Sequence, residues 1–74
     1  MKEYEVLATF LNGCAGEAYP QKDFEEVELN DPADYVRAKH GKDFDKFTKE
    51  ENGDTTIFRF DNGTVRYIYE FTEI

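Results

Sequence analysis

The sequence predicts an α+β domain. The expected form is a small two-layer sandwich, a four- or five-stranded antiparallel sheet with one short helix packed on one face, in the order β-β-α-(β)-β-β. Three observations predict it. Residues Thr55–Asp61 and Thr64–Phe71 alternate apolar with polar side chains around Asn62-Gly63, a strong hairpin signal. Asn30-Asp31-Pro32 opens a helical stretch that Gly41 closes. The segment Tyr4–Leu11 is apolar on both faces, as an inner strand is.

Each element has its own signal. In the first strand Val6, Ala8 and Phe10 alternate on one face, with Leu7 and Leu11 on the other. The Asn12–Lys22 stretch, with two glycines and a proline, reads as a loop, and its length singles it out as a candidate binding element through Cys14, Glu17 and Tyr19. Phe24–Leu29 reads as a second strand, with Val27 and Leu29 facing in and Glu26 and Glu28 facing out. Asn30 or Asp31 caps the helix, Pro32 suits its first position, and Asp34 favours its positive end. Arg37, Lys39 and His40 sit in the last turn. So short a helix is marginal alone and must pack on the sheet. If Asn62-Gly63 is a two-residue turn, Arg59 faces Arg66, Phe58 faces Tyr67 and Ile57 faces Ile68. Phe58, Phe60, Val65, Tyr67, Tyr69 and Phe71 then form the core face. A second signal, Asn52-Gly53, pairs residues 44–50 with 55–61 as a further strand and sets Lys46 beside Arg59. An irregular segment through Phe44 and Phe47 is the alternative.

At 74 residues the chain makes one domain, 1–74, with aromatics (16%) carrying a core that a chain this short can scarcely otherwise fill. The net charge of −8 is spread evenly, residues 1–42 and 43–74 each being net −4. That balance argues against direct binding to nucleic acid or to an anionic membrane. No apolar run reaches the roughly 20 residues of a membrane span, Met1-Lys2-Glu3-Tyr4 does not open a secretory signal, and a single cysteine allows no internal disulfide, so the cytoplasm is the expected compartment.

Enzymatic chemistry finds few carriers. The chain has no serine, and its one thiol–imidazole combination is Cys14 with His40, a histidine whose place at a helix C-terminus favours the protonated form and makes it a poorer base. Two Cys/His residues are too few for a zinc site. Asp43-Phe44-Asp45 starts like a calcium loop but puts Phe47 and Thr48 where a ligand and a glycine belong. Gly13 and Gly16 lack the strand-to-helix context of a phosphate loop. The expectation is therefore no enzyme, no metal and no cofactor.

Two surface features remain. Asp23, Glu25, Glu26, Glu28, Asp31 and Asp34 follow one another with no base between Lys22 and Arg37. On a strand Glu26 and Glu28 project to one side about 7 Å apart, near the spacing of successive phosphates, and Glu3 or Glu5 on a neighbouring strand widens the patch. The bland reading of such acids is a solvated edge strand guarded by charge. The second feature is the outward row Ile57, Arg59, Arg66 and Ile68, a contact surface for an acidic partner or a second copy, unless nearby glutamates neutralise the arginines. In size and charge the chain is similar to phage and mobile-element anti-CRISPR and anti-restriction proteins. That resemblance implies an inhibitor whose carboxylates occupy the nucleic-acid-binding surface of a basic host defence protein. The alternative is a small accessory domain that docks or self-associates through its sheet, its acidity serving solubility.

Overall fold

A computed structural model describes residues 1–12 and 21–74. Among these residues five strands, one α-helix and one 3₁₀ helix follow in the order β1 (Lys2–Asn12), β2 (Gln21–Leu29), α1 (Pro32–His40), the 3₁₀ helix (Gly41–Lys46), β3 (Thr48–Asn52), β4 (Thr55–Asp61) and β5 (Val65–Glu73). They form one antiparallel sheet in the order β2-β1-β5-β4-β3. The expected α+β sandwich is the observed one, with five strands. Residues 44–50 divide between the two readings: the 3₁₀ helix runs through Phe44, and β3 begins after Phe47.

The helix forms where its punctuation stands. Asp31 is the N-cap, its Oδ1 accepting from Ala33 N–H at 2.9 Å. Pro32 fills the first position, and Gly41 takes φ +51° at the C-cap. Val36, fully buried, points from α1 onto the sheet. There Tyr4, Val6, Phe58, Tyr69 and Phe71 complete the core, with Ala33, Tyr35, Phe44 and Phe47 packed around them. Phe71 meets Tyr4, Tyr35 and Phe58 edge-on, with ring centroids 6.4, 5.4 and 6.0 Å away.

The hairpin register differs from the expected one. Arg59 faces Ile68, not Arg66; Arg66 faces Asp61; Phe58 faces Tyr69; Ile57 faces Glu70. The cause lies in the turn. A two-residue type I′ turn needs positive φ at both Asn62 and Gly63, and only Gly63, at +86°, has it. Side chains close a wider loop instead. Asn62 Oδ1 accepts from the N–H groups of Thr64 and Val65 at 2.9 and 2.8 Å, and Asp61 Oδ1 accepts from Gly63 N–H at 2.9 Å. The β3–β4 turn shifts likewise: Asn52 faces Thr55 around Gly53-Asp54, so Thr48 rather than Lys46 lies beside Arg59. Both slips preserve parity, so the same side chains stay inward.

Packing sets a sharp contrast between two phenylalanines. Phe71→Ala, at a fully buried site, should cost about 3–5 kcal/mol, much of the stability of so small a domain. Phe24→Ala, at a site 61% exposed, should change stability by about 0.5 kcal/mol or less. Urea unfolding followed by circular dichroism reads both.

Candidate functional site

Strand alternation divides the acidic stretch. In β2, Asp23 and Glu25 register with Ala8 and Val6 and so share the helix-covered face of the sheet. Glu26 and Glu28 register with Glu5 and Glu3 on the opposite face. Asp31 is spent on the helix cap and Asp34 on an ion pair with Arg37 at 2.9 Å. The six acids therefore do not make one patch, since a strand sends alternate residues to opposite sides. What the sheet does bring together is a quartet: Glu3 opposite Glu28 and Glu5 opposite Glu26, two carboxylates from each strand. Directly opposed side chains lie about 5 Å apart and alternate residues along a strand about 7 Å apart.

The quartet is unneutralised. Among the described residues no cation lies within 4 Å of Glu3, Glu5, Glu26 or Glu28, and Lys2 on the same strand pairs instead with Glu73 at 3.5 Å. Elsewhere cations and anions meet. Arg59 donates to Glu50 Oε1 at 2.9 Å, and Arg66 donates through two nitrogens to Asp61 Oδ2 at 3.0 and 2.8 Å. Gly63 N–H and then Arg66 hold the Asp61 carboxyl below its ordinary range. The arginines expected to repel one another are thus each matched by an acid, Arg59 by one on β3 and Arg66 by one on β4. Ile57 and Ile68 share that face with them, but Ile57 is only 8% exposed, while Ile68 is half-buried.

Beside the quartet the open face turns apolar. The next row along β2 and β1 is Phe24 opposite Leu7, with Leu7 half-buried and Phe24 the most exposed aromatic of the described residues. Cys14, Glu17 and Tyr19, and with them the thiol–imidazole combination, lie outside the described residues.

His40 is not the surface histidine its place at a helix end suggests. It is half-buried, with Phe47, Tyr67 and Tyr69 rings 4.9, 4.6 and 5.4 Å away, and its Nε2 shares a 2.6 Å hydrogen bond with the Tyr69 hydroxyl. Burial lowers its pKa, opposed by Asp43 and helped by Lys39, so the neutral imidazole is favoured here and not the protonated form expected at a helix C-terminus. Burial, with Tyr67 beside it, pushes the Tyr69 hydroxyl up to about 12. Across the helix, Tyr35 donates its hydroxyl to Glu25, tying α1 to β2. Burial first and that carboxylate second raise the Tyr35 pKa. Among the described residues no group of three or more His, Cys, Asp or Glu side chains is placed to hold a metal ion, and no helix is long and apolar enough to cross a membrane.

Comparison of the chain with protein-family models, curated proteins and solved structures finds no match in any of the three.

The histidine gives a pH prediction. Its folded-state pKa lies below the ordinary 6.5, so on acidification the unfolded chain takes up the proton first. The stability His40 contributes is present above about pH 6.5 and lost as pH falls below it. Between about pH 7.5 and 5, the urea midpoint of the parent should fall relative to that of a His40→Phe variant, which keeps the aromatic packing. Parallel pH curves for the two proteins contradict this.

Proposed function

We propose that this protein is a non-enzymatic binding module, an acidic inhibitor of the anti-CRISPR or anti-restriction type from a phage or mobile element. It acts in the cytoplasm by occupying the nucleic-acid-binding surface of a basic host defence protein. The observation that carries this reading is the Glu3/Glu5/Glu26/Glu28 quartet. Like charges directly opposite on a sheet weaken strand pairing, and here no cation among the described residues relieves them. A groove built to neutralise phosphates supplies the missing cations. Its attraction to a chain of net charge −8 speeds encounter at low salt. Phe24, exposed in the adjoining row, gives the same surface an apolar anchor of the kind that dominates protein interfaces.

A second reading rests on that same phenylalanine. With Leu7 and Ile68 on its face of the sheet, Phe24 also suits docking or self-association through apolar contact, the acids serving solubility.

Affinity capture from nuclease-treated bacterial lysate separates the two. The inhibitor reading expects one basic nucleic-acid-handling protein, displaced by a long DNA or RNA competitor and released steeply as salt rises from about 50 to 300 mM. The double variant Glu26→Lys, Glu28→Lys should stay folded and capture nothing. A partner that ignores both competitor and salt, or recovery of the protein's own copies alone, favours the docking domain.

A further inference from the structure

A cleft at the β2 edge, opening on the helix-covered face while the quartet lies on the opposite one, has a chemistry of its own. It exists because Ala8 stands where its neighbours are large. On the helix-covered face Ala8 lies between Val6 and Phe10 along β1, and between Asp23 and Tyr69 across the sheet. From helix α1, Tyr35 packs on Phe71 and Val36 is fully buried in the core, while Ala8, only partly buried, borders an open volume. The resulting cleft, about 400 Å³, is lined by Ala8 and the rings of Phe10, Tyr35 and Tyr69, by the carboxylates of Asp23 and Glu25, and by Lys39. That volume is at the small end of ligand sites, right for one side chain rather than an extended substrate.

The lining selects the occupant. Aromatic faces and two carboxylates together favour a cation on an apolar stem: the rings attract the charge through their quadrupoles, and the carboxylates accept its hydrogen bonds. An anion meets two carboxylates against the one ammonium of Lys39, and a neutral apolar group leaves Asp23 without a partner. Tyr35 donates its hydroxyl to Glu25 and so fixes that carboxylate in the lining. The chain's own Lys39 shows the attraction at work. Its ammonium lies 4.9 Å from the centroid of the Tyr35 ring, with no carboxylate within 4 Å among the described residues. We propose that this cleft is a socket for one arginine side chain of a protein partner, the aliphatic stem on Ala8 and Phe10 and the guanidinium between Asp23 and Glu25. Arginine is favoured over lysine because a planar fork bridges two carboxylates and stacks on rings, which an ammonium does not. The socket does not rest on the quartet. Both border β2, one of the sheet's two edge strands, so a partner straddling that edge reaches both.

The test is a ¹H–¹⁵N titration of the full chain with N-acetyl-arginine methylamide, beside the matching norleucine and glutamate compounds. The socket predicts saturable shifts centred on Ala8, Asp23 and Tyr69, and affinity for the norleucine compound weaker by about tenfold. Asp23→Asn should weaken arginine binding about fivefold, and Lys39→Met, which removes the resident competitor, should tighten it. Ala8→Leu, which fills the cleft, should abolish it. Glu26→Gln with Glu28→Gln should leave it unchanged, so loss of the socket and loss of the quartet's role are told apart. If Ala8→Leu does not fold, the Asp23 and Lys39 variants decide. Shifts spread without saturation over the acidic surface, equal binding of norleucine, or arginine binding undiminished by Asp23→Asn would overturn the proposal. Free arginine binding better than the blocked compound would overturn the assignment to a protein side chain.

Discussion

The pairing of β1 with β5, packed most tightly where Val6 faces Phe71, is the constraint on which the rest of the molecule depends. It joins the first strand to the last, so forming it closes a loop of nearly the whole chain, the largest loop-closure cost in the fold. It also makes β5 the central strand, bonded to β1 on one side and β4 on the other. Phe71 then receives the edges of Tyr4, Tyr35 and Phe58 and ties three strands to the helix. Among the described residues every sheet aromatic but Phe24 is spent on one side of the sheet, under a single short helix, and the other side is left to charge, Phe24 and a few aliphatic side chains. The two candidate surfaces follow from that economy. β2 is left at one edge, with acids on both of its faces, the quartet on one and the carboxylates of the cleft on the other.

Much of this was legible in the sequence. Asp31-Pro32 and Gly41 bounded the helix because capping, proline geometry and positive φ are local effects. Alternation gave the inward faces of β4 and β5, and the apolar character of both faces of Tyr4–Leu11 gave an inner strand. What failed was register, by two residues at both hairpins. Asn-Gly and a wider loop closed by Asp61 and Asn62 side chains look alike in sequence, and only the φ of Asn62 separates them. The slip changed chemistry and not faces: an apparent Arg59–Arg66 clash became two ion pairs. The acidic stretch looks like one patch in sequence because its density hides the parity that sends Asp23 and Glu25 away from Glu26 and Glu28. His40 and the cleft above Ala8 needed tertiary contacts. Nothing in the local sequence brings Phe47, Tyr67 and Tyr69 around a helix-terminal imidazole, or marks an alanine as the low point between Asp23 and Tyr69.

The charge arrangement separates a solubility device from a surface with a use. Acids that serve only to keep a protein apart from its neighbours need no particular mates, and spreading them lowers their mutual repulsion. Here the arginines of β4 and β5 are matched to acids on the adjoining strands, while four glutamates are set opposite one another on β1 and β2. That repulsion falls on the strand pair at one edge of the sheet, and on the proposed reading a cationic partner would relieve it on binding. The quartet is thus read as local instability kept in the free protein for the sake of the bound one, a trade met at functional sites generally.

The most direct test of that claim needs no partner. The unfolding free energy of Glu26→Gln, which removes one of two opposed charges, should exceed that of the parent by on the order of 0.5 kcal/mol at low salt, and the gain should shrink as salt rises. Asp45→Asn, at an exposed position outside the sheet, lowers the net charge equally and should gain less. A Glu26 variant no more stable than the parent, or no more stable than the Asp45 variant, would mean that the quartet carries no repulsion for a partner to relieve.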